Sequence, residues 1–70
     1  MPQDLPLSTR EAEVLRWVAM GKTNPEISLI LEISLFTVKN HLQRLFKKLD
    51  VTNPAQAVGK LMPLAHHAQN

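Results

Sequence analysis

Several residue types that build common functional sites are missing or scarce in this 70-residue chain. Cysteine is absent, which excludes disulfide bonds and zinc sites with thiolate ligands and is compatible with a reducing compartment. Only two glycines are present, too few for a glycine-rich loop around a phosphate group. No apolar run approaches the roughly 20 residues of a membrane-spanning helix. We therefore expect one small, soluble domain that is held together by packing alone. As a separate expectation, we place the domain in the cytoplasm.

Positive charge is concentrated in one segment. Residues 35–49 contain Lys39, Arg44, Lys47 and Lys48 and no acidic residue. The rest of the chain is slightly acidic, because all 70 residues together carry a net charge of only +2. A polyanion would meet this segment as a basic stripe. An ordinary solvated helix face is the alternative interpretation.

Side chains that can accept hydrogen bonds from free backbone N–H groups mark four expected helix starts. The segments 8–11 and 23–26 match the reciprocal capping box, in which Ser or Thr is followed three positions later by Glu. The segment 53–56 matches it less strictly, and Ser34 precedes a further helix. We predict an all-α fold with helices over residues 9–20, 24–31, 35–49 and 54–62.

The connections between these helices define the organisation of the chain. Gly21 provides a stop after the first helix. Only a tight turn separates the second helix from the third, which predicts a helix-turn-helix. The domain is expected to span residues 7–63, between a flexible lead-in over residues 1–6 and a flexible tail over residues 64–70.

The third helix is predicted to be amphipathic. A rotation of about 100° per residue places Val38, Leu42, Leu45 and Leu49 on one side. That side should form the core. Its flanks are Leu35 and Phe46, and the residues expected to cover it from the other helices are Val14, Leu15, Val18, Ile27, Ile30, Leu31, Val58, Leu61 and Met62.

The opposite side of the third helix carries polar groups that suit the DNA major groove. Asn40 and Gln43 can each bond an adenine edge, and Lys39 can reach guanine. For Phe36 two interpretations stay open, contact with a thymine methyl group and packing over the preceding turn. Side chains expected at the flanking phosphates are Arg44, Lys47 and Lys48, and Lys22 with Thr23 can form a second anion site at the start of the second helix.

Catalytic and metal-binding arrangements are not evident. The sequence offers no serine–histidine–aspartate set within reach and no paired carboxylates. Glu11 lies near the apolar side of the first helix, and we expect it to cap that helix rather than act as a catalytic acid. His66 and His67 are neighbours that point apart on a helix, and His41 is expected to pack or to touch a DNA backbone. We predict no enzyme activity, no cofactor and no metal ion.

Residues 7–58 resemble, without a gap, the LuxR-type (FixJ or GerE type) helix-turn-helix domain of bacterial transcription regulators. The matching pieces are "LSTREAEVLRWVAMGKTNPEI", "ISLFTVKNHLQRLFKKL" and "AQAV". The resemblance implies a four-helix domain whose third helix enters the major groove of double-stranded DNA. It implies base contacts by Lys39, Asn40 and Gln43, and DNA backbone contacts by Thr37 and the basic residues that follow it. We also expect Ser34 to contact the DNA backbone. The fourth helix of such domains commonly pairs two subunits, here through Val58, Leu61 and Met62.

Some residues depart from the family pattern, and other functions stay possible. Glu32 and Asp50 occupy helix ends where relatives often carry glycine, and Pro63 shortens the last helix, so whether the chain pairs by itself is open. The alternative function is a protein-interaction module that sequesters another regulator or docks on RNA polymerase. A sigma-factor fragment also ends in a helix-turn-helix, but the "TVKNH" signature argues against it.

LuxR-type domains usually follow a sensor domain in the same chain. We therefore expect this chain to be either free-standing or the C-terminal part of a longer protein.

Overall fold

The structure, a computed structural model, describes residues 7–61 and the side chains of residues 7–60. Four helices fill this range: α1 (Thr9–Ala19), α2 (Asn24–Leu31), α3 (Leu35–Leu49) and α4 (Pro54–Leu61), with no strand among them. The predicted all-α fold and the four helices are confirmed. The expected lead-in, the expected tail and Met62 lie outside the described residues.

Local hydrogen bonds at the helix starts explain why the sequence folds into these elements. The Ser8 hydroxyl accepts from the Glu11 N–H at 3.1 Å, and Glu11 Oε1 accepts from the Ser8 N–H at 3.0 Å. Thr23 and Glu26 exchange the same pair of bonds at the start of α2. Both capping boxes are therefore confirmed. The start of α4 differs slightly, because Gln56 Oε1 accepts from the Thr52 N–H rather than from Asn53.

Left-handed residues end the first three helices. Gly21 follows α1 with φ of 89°, and Glu32 and Asp50 follow α2 and α3 with φ of 58° and 57°. A side chain in this region costs on the order of 1 kcal/mol relative to glycine. The conformation lets the Ile33 N–H bond the Ser28 carbonyl at 3.0 Å, which satisfies the backbone at the end of α2. Glu32 therefore accepts backbone strain that glycine would avoid.

The core forms where α3 crosses the other helices. Its buried apolar residues are Val14, Leu15, Ile27, Val38, Leu42, Leu45, Leu49 and Ala57. Val18, Leu31, Phe46 and Val58 pack against this cluster and are partly buried, as is the Trp17 side chain. Burial of each large side chain contributes roughly 1.5–3 kcal/mol. The apolar side of α3 predicted from its periodicity is therefore confirmed.

The structure corrects one predicted core position, Ile30, and places the flanking Leu35 near the surface. Ile30 is 40% exposed. Ile27 and Leu31 are one turn apart and already turn one side of α2 towards the core, so Ile30 lies about 60° away from Ile27 and outside it. Leu35, the first residue of α3, is 38% exposed. Ala57 is fully buried and was not predicted.

Candidate nucleic-acid interface

The outer side of α3 presents a set of basic and amide side chains, which we call the outer face: Phe36, Lys39, Asn40, Gln43, Arg44 and Lys47. All of them are exposed except Asn40, which is half-buried. Within the described residues, none of these polar side chains makes a hydrogen bond or an ion pair. Their donors and acceptors are therefore available to a ligand, at the four- and three-residue spacings that keep them on one side of a helix.

Two hydroxyl groups, those of Ser34 and Thr37, cap the start of α3. Ser34 Oγ accepts from the Thr37 N–H at 3.0 Å and lies 2.8 Å from Thr37 Oγ1. A hydroxyl carries one donor hydrogen, so only one of the two hydroxyls donates to the other. The remaining O–H is free to donate outward. The first turn of α3 also contains no acidic residue, so this positive helix end is not neutralised by a side chain.

The start of α2 is different, because an acidic side chain already occupies it. Backbone and side-chain hydrogen bonds from Thr23 hold the pKa of the exposed Glu26 carboxyl below its ordinary value, with a smaller contribution from Lys22. The Thr23 hydroxyl also accepts from the Glu26 N–H at 3.3 Å. A second anion at this helix start would lie beside the Glu26 carboxylate, so the start of α2 is electrostatically less favourable for an anion than the start of α3. The anion site at Lys22 and Thr23 stays a prediction.

Lys48 has a partner that the sequence analysis did not identify. Its Nζ lies 2.7 Å from Glu11 Oε1, across 37 positions of the chain. The Glu11 side chain is only 3% exposed, whereas that of Lys48 is 37% exposed. The pair ties the start of α1 to the last turn of α3. Its only signal in the sequence was the position of Glu11 near an apolar helix side, since a buried carboxylate requires partners.

The environment of Glu11 has opposing effects on its ionisation. Burial raises the pKa of the Glu11 carboxyl, but hydrogen bonds from Lys48 and from the Ser8 backbone, together with the Lys48 charge, lower it more. The net pKa lies below the ordinary value of 4.5. Glu11 is therefore a stabilised carboxylate in the folded domain, and the expectation of a helix-capping role is supported by its bonds with Ser8.

The remaining predicted positions lie away from the outer face. His41 is half-buried, and its Nδ1 is covered without a hydrogen-bond partner in the described part of the chain, so part of the ring packs. Val58 is partly buried against the core. The side chains of Leu61 and Met62 lie outside the described residues. The predicted pairing surface of the last helix is thus represented here by Val58 alone.

The described residues contain neither a metal-binding cluster nor a membrane-spanning helix. No group of three or more histidine, aspartate or glutamate side chains is placed to hold a metal ion. None of the four helices combines the length and the apolar character that a bilayer crossing requires.

Sequence comparisons identify relatives of known class. Residues 5–61 match the family described as bacterial regulatory proteins, luxR family. The chain is 56% identical over 52 residues to the transcriptional activator protein YukR of Yersinia ruckeri, covering 74% of this chain and 23% of YukR. It is 50% identical over 58 residues to the quorum sensing-dependent regulator RpaR of Rhodopseudomonas palustris, covering 83% of this chain and 24% of RpaR. The chain thus spans about a quarter of these curated relatives.

Solved structures show the same arrangement of helices. SdiA of Escherichia coli superposes with a TM-score of 0.74 at 43% identity, over 83% of this chain and 24% of SdiA. The response regulator ChrA of a heme-sensing two-component system superposes with a TM-score of 0.76 at 35% identity, over 91% of this chain and 32% of ChrA. Both contain the present fold as a minor part of a longer chain.

Proposed function

The chain belongs to the luxR family of bacterial regulatory proteins, and we propose that it binds double-stranded DNA sequence-specifically as the DNA-binding domain of a transcription regulator. In this proposal α3 lies in the major groove, which is wide enough to admit an α-helix. The observation that carries it is the outer face of α3, where the basic groups and the Gln43 amide are exposed and have no hydrogen-bond or ion-pair partner among residues 7–60. The domain acts in the cytoplasm, where bacterial DNA is found, and performs no catalysis.

We assign base contacts to the centre of the outer face. The side-chain amides of Gln43 and Asn40 can each donate to N7 of an adenine and accept from its N6 amino group. Lys39 can donate to guanine. Gln43 is exposed, whereas Asn40 is half-buried and offers less free surface. Each good pair of bonds with the right base contributes about 1–3 kcal/mol of discrimination. Gln43 therefore gives the cleaner test of base reading.

Phosphate contacts are assigned to the groups that surround this centre. Arg44 and Lys47 are exposed and follow the base-reading residues along α3. The free hydroxyl hydrogen of the Ser34 and Thr37 pair can donate to a phosphate at the start of α3. Lys22 with Thr23 supplies a weaker contact at the start of α2, for the electrostatic reason given above.

We assign Lys48 primarily to stabilising the fold and only secondarily to contacting DNA. Its charge is balanced by Glu11 at 2.7 Å. An ammonium group has three donors, so a further bond to a phosphate is geometrically available. Such a bond adds little long-range attraction, because the DNA then faces an ion pair rather than a free cation.

One observation favours the alternative of a protein-interaction module. Leu29 is 79% exposed on α2, and Ile30 beside it is 40% exposed. Exposed apolar residues close together are typical of protein contact sites. In this alternative, another regulator or RNA polymerase contacts this apolar surface. Pairing of two subunits through α4 uses a different surface.

Selection of bound sequences from a random duplex pool, followed by sequencing, tests the proposed function without a known target. We expect enrichment of a half-site with adenine or guanine at the positions facing the outer face. Two inverted half-sites about one helical turn apart would indicate pairing on DNA, and a single half-site would indicate binding of one copy. No enrichment by the folded chain would overturn sequence-specific binding and favour the interaction module.

A further inference from the structure

One side chain of the outer face is apolar and almost fully in water. Phe36 is 77% exposed. It is absent from the apolar residues that pack against the core, whereas Phe46 of the same helix is among them. The preceding turn therefore covers little of the ring. A phenyl group left mostly in water contributes little to the free energy of unfolding, since the hydrophobic contribution scales with the area removed from water.

The position of Phe36 in α3 places it beside the proposed base-reading residues. It is the second residue of the helix and precedes Asn40 by four positions, so the two lie one above the other on one side of α3. In helix-turn-helix domains the N-terminal residues of the second helix approach the base edges. Ser34 and Thr37, its neighbours at this end of α3, carry hydroxyl groups that are hydrogen-bonded to each other. The Phe36 ring is therefore the apolar group at this end of the outer face.

The chemistry of the ring restricts what it can recognise. A phenyl group has no hydrogen-bond donor or acceptor, so it cannot distinguish bases by their polar edges. In the major groove the one apolar group displayed by the four bases is the C5-methyl group of thymine. We infer that Phe36 reads the methyl group of a thymine next to the base read by Asn40, and this rests on the proposed function.

The test removes the methyl group alone. Each thymine in the selected site is replaced in turn by deoxyuridine, which keeps every hydrogen-bonding group, and binding is measured with the 70-residue chain and with Phe36→Ala. At one thymine, we expect the unaltered chain to bind about three- to fivefold more weakly after replacement, the factor that corresponds to about 0.8 kcal/mol for one buried methyl-sized group. Phe36→Ala should bind the two duplexes equally.

Leu29→Ala is the matched control, because Leu29 is 79% exposed but lies on α2. It should retain the discrimination between thymine and deoxyuridine. The inference is overturned if no thymine in the site is sensitive to loss of its methyl group, if Phe36→Ala discriminates as well as the unaltered chain, or if Leu29→Ala loses the discrimination too. In these three cases sequence-specific binding itself stands. Failure to select any sequence overturns the proposed function, and the inference with it.

Discussion

Replacement of Lys48 by Met should destabilise the domain, because it removes the partner of a buried carboxylate. The Glu11 side chain is 3% exposed and would keep its bond with the Ser8 N–H while losing the 2.7 Å bond with Lys48. A hydrogen bond between charged groups contributes about 1.5–3 kcal/mol when buried. Lys48 is 37% exposed, so water partly replaces it, and we expect a loss of about 1–2 kcal/mol in the free energy of unfolding.

Lys47→Met is the matched control for this change. Lys47 and Lys48 both lie in the last turn of α3, so either replacement removes one favourable charge from the negative end of the helix dipole. Only Lys48 has Glu11 as a partner. The difference between the two variants therefore isolates the ion pair from the general effect of charge at the helix end.

Urea unfolding, followed by circular dichroism and by the fluorescence of Trp17, measures both variants. Trp17 is the one tryptophan of the chain and packs against the core. A cycle that includes Glu11→Gln and the double variant should give a favourable coupling between Glu11 and Lys48. If Lys48→Met unfolds at the same urea concentration as Lys47→Met, the pair contributes nothing and the assignment of Lys48 to stability is wrong.

Three further predictions concern single residues. Lys47→Ala should weaken binding to all duplexes alike and reduce the magnitude of the slope of log K against log salt by about 0.9. Titration of a duplex at several salt concentrations measures this slope, and an unchanged slope would exclude Lys47 from the phosphate contacts. Glu32→Gly should raise the free energy of unfolding by about 1 kcal/mol because φ is 58°, and a destabilised variant in urea would argue against strain at this turn. Because the folded-state pKa of Glu11 is lowered from 4.5, its contribution should be fully present above about pH 4.5 and lost as the pH falls through the folded pKa, so Glu11→Gln should lose less stability on acidification.

Local signals in the sequence were sufficient to predict most of the fold. The capping boxes at Ser8 and Thr23 and the periodicity of α3 depend on residues three to seven positions apart, which the sequence displays directly. The family resemblance indicated only that Glu32 and Asp50 occupy helix ends where relatives often carry glycine, and the left-handed conformation is a finding of the structure. Exposure of Ile30 was not anticipated, because α2 is short and its periodicity does not fix which edge of the apolar side faces α3.

The candidate site was only partly predictable for a related reason. The residues of the outer face follow from the angular positions on one helix. The bond between Lys48 and Glu11 depends on how α1 packs against α3, across 37 positions, and no local pattern encodes it. The sequence therefore places Lys48 among the basic residues of α3 but does not reveal that its charge is already balanced.

The central claim is that the outer face of α3 reads DNA sequence, and binding of Gln43→Ala to the selected site and to a scrambled duplex of equal length and charge tests it most directly. Gln43 is exposed and makes no hydrogen bond within the described part of the chain, so the variant should fold as the unaltered chain does. We predict a loss of about 1–3 kcal/mol on the selected site and almost none on the scrambled duplex. An equal loss on both duplexes, or no loss on either, would contradict the account.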